Sequence, residues 1–264
     1  MDFSGAENAG TKIWIASGRI HGRQLLLSEL IRADELPDSG PGRSACMPVL
    51  RRFITDHRSG LFGVDFPLTL PKQYLGSSDW RNFVHELCYT SDSPQIFRKR
   101  CIKLSGGKEL KRHTERRAQV PFSAVNLRLY KQTYYGLKDL IAPLVESDKV
   151  RVLPYQPLAE DKPAIVEICP ASSIKDIQQH SDKKLYAPYK GDSPGHRKAR
   201  EDILAYVERT GLVSLLSWNL RWEAIEDPGG DALDAVLAAY AATKAMLGGR
   251  LRAEGDPVEG EIYY

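Results

Sequence analysis

"LFGVDFPLTLP", residues 61–71, is apolar on both faces of an alternating run and stops at a proline. A strand with no polar face belongs in the middle of a sheet covered by helices on both sides. Asp65 breaks the run. A carboxylate there costs several kcal/mol in desolvation unless it is paired, protonated or bound to a cation. Just upstream, "MPVLRRFITDHRSG" (47–60) places Leu50, Phe53 and Ile54 at helical spacing and ends at Gly60, which predicts a helix. Further back, "MDFSGAENAGTKIWIA" (1–16) holds a turn-like ENAGT before an alternating apolar run. It reads as a hairpin, followed by a third strand in "RQLLLSELI" (23–31) and a turn-rich break in "LPDSGPGRS" (36–44).

Downstream, a polar and mostly helical insert is expected from about 79 to 150, including "FSAVNLRLYKQTYYGLKDLIAPLVE" (122–146). Strands are predicted in "VRVLPYQPL" (150–158) and "AIVEICP" (164–170). Helices are predicted in "GHRKAREDILAYVERTG" (195–211) and in the glycine-bounded "GGDALDAVLAAYAATKAMLGG" (229–249), before a short charged tail at 252–264. There is no internal repeat or low-complexity tract. The expectation is a single α/β domain over 1–264, a mixed sheet flanked by helices with one helical insert.

Bulk properties narrow the function only a little. A chain of 264 residues can bury roughly three quarters of its unfolded surface and needs no staples. Its four cysteines, Cys46, Cys88, Cys101 and Cys169, lie far apart with no histidine at zinc-ligand spacing, so neither a disulfide framework nor a zinc site is indicated. None of the six histidines shows ligand or triad spacing. No signal peptide or membrane span is read, and a reducing cytoplasm is the expected home.

Four further carboxylates stand out. Glu167 interrupts "AIVEICP" as Asp65 interrupts its own strand, and Asp2 opens the hairpin. On the last helix Asp231, Asp234, Ala238, Ala241 and Ala245 share one stripe, so the alanines allow close approach to the sheet and the two aspartates point toward it. Each acid also has a structural reading: Asp231 as an N-cap with Asp234 on the helix dipole, Asp65 as an acceptor for turn amides, Glu167 as partner of a buried arginine, Asp2 as a solvated terminus. Their convergence in one fold is what favours a divalent cation.

Taken in order, "DFSGAENAGTKIWIA", "GVDFPLTLP", "VEICPAS", "YAPYKGDSPGHRKAREDILAYVE" and "GDALDAVLAAYAA" resemble the successive motifs of domain of unknown function family 429. They span nearly the whole chain apart from 90–150. The resemblance implies a ribonuclease H-like fold and a predicted nuclease activity. It also implies Mg²⁺ or Mn²⁺ held by acids on the first strand, the fourth strand and a late helix, which correspond to Asp2, Asp65, Asp231 and Asp234. Glu167 belongs to the family's own motif, on a strand one place beyond that of Asp65. Lys190 and Arg197 fit the family pattern too, as phosphate contacts or as members of exposed ion pairs.

Between 98 and 138 twelve lysines and arginines face two glutamates, an excess hidden by a whole-chain net charge of only +3. Lys111, Arg112, Arg116, Arg117, Arg128 and Lys131 read as a phosphate-binding cover, with Tyr130, Tyr134 and Tyr135 as stacking platforms; the same run also reads as a solvated face. The expected function is a divalent-metal-dependent nuclease acting on DNA or RNA. Two rivals are an actin-like-fold nucleotide phosphotransferase or ATPase, suggested by "DFSGAENAGT" but lacking G-x-x-x-x-G-K-[ST], and a non-catalytic nucleic-acid-binding module.

Overall fold

Alternation in the first thirty residues yields a hairpin of two long strands, β1 (Trp14–His21) and β2 (Gln24–Arg32), which pair antiparallel with a bulge at Ser17/Gly18. In the computed structural model, which describes residues 1–76, 79–90, 93–182, 184–185, 187–252 and 255–264, the turn between them is Gly22-Arg23, with Gly22 at φ 61°. After helix α1 (Arg43–Asp56) comes β3 (Leu61–Val64), the strand that carries Asp65 at its end. β4 (Arg151–Val152) and β5 (Ala164–Glu167) follow the insert, and β6 (Val213–Leu215) is a short strand that the sequence pattern did not announce.

Two three-stranded sheets result, ordered β1-β2-β6 and β3-β5-β4, with every pairing parallel except β1 with β2. The first three residues join them. Asp2 exchanges both backbone hydrogen bonds with Trp14, in an antiparallel bridge to β1. On the other side the Met1 nitrogen donates to Gly63 O at 2.8 Å and the Asp65 N–H donates to Met1 O at 3.1 Å, the offset of a parallel pair. The result is a mixed α/β structure with Asp2 and Asp65 on neighbouring backbones at its centre.

A short helix, α2 (Lys72–Leu75), precedes the insert, which is helical as expected: α3 (Trp80–Thr90), α4 (Pro94–Leu104), α5 (His113–Arg117) and α6 (Tyr130–Tyr135), which runs through a π-helical segment at Gly136–Ile141 into α7 (Ala142–Glu146). Residues 91–92 of the expected insert lie outside the described residues. Its apolar side chains, among them Phe97, Tyr134, Leu137 and Leu140, merge with those of the sheet in one core. α8 (Pro170–Gln178), α9 (Pro194–Arg209), α10 (Trp218–Glu226) and α11 (Asp231–Leu247) complete the chain. The expected charged tail is instead built into the sheet: Tyr263 bridges Ile168, and Ile262 and Tyr263 are buried. Among the described residues no helix is long and apolar enough to cross a membrane.

The alanine stripe of α11 behaves as read. Ala238, Ala241 and Ala245 are buried, and the helix comes so close to β3 that a Cβ on Gly63 would stand 2.9 Å from Ala238 O and 3.2 Å from Ala242 Cβ. Overpacking of this kind usually costs about 1–3 kcal/mol. Gly63→Ala is therefore expected to lower the urea midpoint accordingly. An unchanged midpoint would mean that helix and sheet can separate without loss.

Candidate functional site

Each acid is placed by its own local device. β3 ends at Val64, and Asp65 follows at once at the strand's carboxyl end, two residues before Pro67, which lacks an N–H and could not extend the ladder. Gly230, in the left-handed region at φ 73°, turns the chain into α11. The exposed amides there are met by Asp227, whose carboxylate accepts from Gly229 and Ala232 at 3.1 and 3.0 Å. The N-cap position is Gly230, and the acceptor role foreseen for Asp231 is taken by Asp227, four residues upstream, so that Asp231 and Asp234 are released to face the sheet.

There they meet Lys190. Its Nζ lies 2.7 Å from Asp234 Oδ2 and 3.0 Å from Asp231 Oδ1, while the Tyr189 hydroxyl donates to Asp234 Oδ1 at 2.7 Å. Asp2 and Asp234 are only 7% and 3% exposed. Burial, then the Asp234 and Asp65 carboxylates, push Asp2 well above the usual carboxylate range. Burial and Asp234 push Asp65 up to about 7 against the pull of Lys190, and burial raises Asp234 as well. Lys190 loses some basicity to burial, but Asp234, Asp2 and Asp231 more than restore it, so its ammonium form is favoured. Four carboxylates and one ammonium therefore form a single electrostatic unit. Among the described residues no three His, Cys, Asp or Glu side chains converge closely enough to hold a metal ion in common.

Glu167 stands apart from this unit. It is buried and engaged with Arg112 through both guanidinium nitrogens, Nη1 to Oε2 at 2.9 Å and Nη2 to Oε1, and it accepts the Leu68 N–H at 2.8 Å. Arg112 is fully buried and also pairs with Glu115 at 3.1 Å. The pairing bears out the structural reading of Glu167, as partner of a buried arginine, over its place among the catalytic acids. It also corrects the expectation for Arg112, which is a strut inside the protein, unable to reach a phosphate.

Other members of the expected basic cover are likewise engaged elsewhere. Lys111 donates to the carbonyls of Val120 and Pro121, Arg117 pairs with Glu261, and Arg197 with Glu201 and Glu226 on the surface of α9 and α10. Tyr134 is buried against Phe97, and Tyr135 lies under the Arg43 guanidinium at 3.4 Å, so neither is a stacking platform. Arg116 is exposed and has no ion pair among the described residues, but it lines no cavity at the acids. Arg128, Lys131 and Lys190 do line the space around the acids, together with Lys12 and Gln132, which sequence reasoning passed over. Tyr189 was missed too, although its place beside Lys190 in "YAPYKGD" was the available signal. The chain matches no family model, and neither a curated protein nor a solved structure matches it.

Two outcomes are expected. The folded protein holds the Asp65 proton up to about pH 7, whereas the unfolded chain releases it near 3.8, so the folded form binds more protons in between. Stability then falls as pH rises through that window, by up to about 1.4 kcal/mol per pH unit for one group. In buffer with a chelator, urea titrations from pH 4 to 7 should show this slope flattened in Asp65→Asn. An undiminished slope would contradict the assignment. Removing one side of the Arg112–Glu167 pair strands a buried charge, so Arg112→Ala should lose about 3–5 kcal/mol by the same measurement. A loss within about 0.5 kcal/mol would return Arg112 to the surface.

Proposed function

We propose that this protein is a divalent-metal-dependent hydrolase of phosphodiester bonds in nucleic acid, with a ribonuclease H-like arrangement of its sheet and the motif order of domain of unknown function family 429. The observation that carries the reading is the gathering of Asp2, Asp65, Asp231 and Asp234 around one ammonium, with burial and mutual repulsion holding Asp2, Asp65 and Asp234 above the usual carboxylate range. The order β2, β1, residues 1–3, β3, β5, antiparallel through the first three and parallel after them, supports the fold part of the proposal.

The donors fit Mg²⁺ or Mn²⁺ in kind. Carboxylate oxygens are the ligands such ions prefer, and four carboxylates against one lysine leave negative charge for a divalent cation to neutralise. Asp2, Asp65, Asp231 and Asp234 are the residues that would hold it; as their side chains lie, no three stand close enough to share one ion, so binding would have to draw them together. When bound, the ion supplies activation of water and stabilisation of charge on the phosphoryl oxygens.

The chain's own residues supply the rest. Arg128, Lys131 and Lys12, on the wall of the cavity above the acids, attract and orient the phosphate backbone. Lys190 neutralises part of the carboxylate charge and sits where it can also meet a phosphate oxygen. Gln132, whose side-chain amide donates to the Asp65 carbonyl, ties the basic insert to the acid-bearing strand. A second reading, a binding module whose acids are structural, is favoured by the fact that Lys190 already gives Asp231 and Asp234 a partner.

One experiment separates them. Single-stranded and duplex DNA and RNA are incubated with the protein with and without Mn²⁺, alongside Asp65→Asn and Asp234→Asn. Cleavage is expected only with metal, and each variant should lose on the order of a hundredfold or more, because an ion's charge stabilisation is worth several kcal/mol. Binding without turnover in any metal would establish the module, and metal-independent cleavage would overturn the metal assignment.

A further inference from the structure

Two cavities meet at the acidic cluster, and they differ in character. One, of about 420 Å³, lies over Asp2, Asp65 and Asp231 and carries Lys12, Arg128, Lys131 and Lys190 on its wall. The other, of about 330 Å³, shares Asp65, Arg128, Gln132 and Lys190 with it, is lined by Asp234 as well, and extends between Pro67, Val120, Phe122, Leu129, Pro170 and Ile262. Arg112, Glu115 and Glu167, which also line this second cavity, are bound to one another in a buried network of one guanidinium and two carboxylates, so their ion pairs are made within the protein.

A volume of 330 Å³ stands at the small end of the roughly 300–1,000 Å³ typical of ligand sites, so the apolar cavity takes one compact group and no more. At its edge the Arg128 guanidinium lies 5.3 Å from the Phe122 ring centroid, within cation–π range. An aromatic ring and a guanidinium are the two surfaces on which nucleobases stack. A ligand filling both cavities must therefore be anionic at one end, over the acids and lysines, and flat and apolar at the other. We infer that the apolar cavity seats a single unstacked nucleobase whose phosphodiester lies at the acidic cluster, so that the substrate class is single-stranded or locally unpaired nucleic acid. This inference rests on the phosphodiesterase reading above. An intact duplex keeps its bases stacked and paired and has no group of this shape to offer.

The test uses fluorescence anisotropy with a fluorescein-labelled oligothymidylate octamer, the same octamer with one abasic position, and a duplex. The proteins are the wild type, Ala171→Trp, which fills the cavity from α8, and Phe122→Ala, which removes the ring. Thermal melting checks that both variants fold, and Phe122→Ala leaves the cavity open should Ala171→Trp fail. The single strand should bind about tenfold more tightly than the duplex. Either substitution should remove about tenfold of that affinity, the contribution of one stacked base, while leaving duplex binding unchanged. Equal affinity for the two forms, or wild-type single-strand binding by the folded variants, overturns the inference. Mn²⁺-dependent cleavage measured in parallel keeps the two proposals apart. Cleavage unaffected by Ala171→Trp removes the base seat and keeps the hydrolase, whereas the expected binding pattern without any cleavage removes the hydrolase and keeps the seat.

Discussion

The pairing of residues 1–3 between β1 and β3 holds the site together. Without it the two three-stranded sheets share no edge. The same hydrogen bonds that join them carry Asp2 to a place beside Asp65, with α11 pressed against the sheet through Gly63 and Ala238. Backbone pairing is strong and obligatory for buried amides, and it forces carboxylates together that would separate in a looser structure. Their repulsion is the consequence, and the Lys190 ammonium offsets part of it.

Much of the frame was readable because it is local. A both-faces-apolar strand shortly before Pro67 and an alanine stripe at helical spacing each declare themselves within about twenty residues. The hairpin, by contrast, was read too early: ENAGT holds a short 3₁₀ helix, the turn is at Gly22-Arg23, and the expected third strand is the second arm of the hairpin. The acids were legible for local reasons too: Asp65 breaks an apolar strand, and Asp231 and Asp234 share one stripe with the alanines that face the sheet. What could not be read was which partner a charge would find. Arg112 and Glu167 are 55 residues apart, and nothing near either signals the other. The cap on α11 came from Asp227 rather than Asp231 because a loop carboxylate outcompeted the helix's own first residue for the amides.

The basic run teaches the same lesson about composition. Local excess charge predicted a continuous phosphate-binding face, yet Lys111, Arg112 and Arg117 are held by carbonyls or carboxylates of the protein. The carboxylates that hold Arg112 and Arg117 include Glu167 and Glu261, far outside the run, so a count over 98–138 could not include them. Charge density along a sequence measures what must be neutralised, and the fold decides whether protein or ligand does it.

The insert is fastened to the rest of the chain at widely spaced points. Arg112 grips Glu167, Thr114 donates to Glu259 O at 3.1 Å, Gln132 holds the Asp65 carbonyl, and Arg51 reaches Asp139 O at 2.5 Å. Gly5 lies so close to the backbone of α6 that a Cβ would stand 2.5 Å from Lys131. An element secured in this way is a fixed wall and not a lid. For the proposed hydrolase this means a mouth already formed above the acids, with no loop to be ordered when a substrate binds.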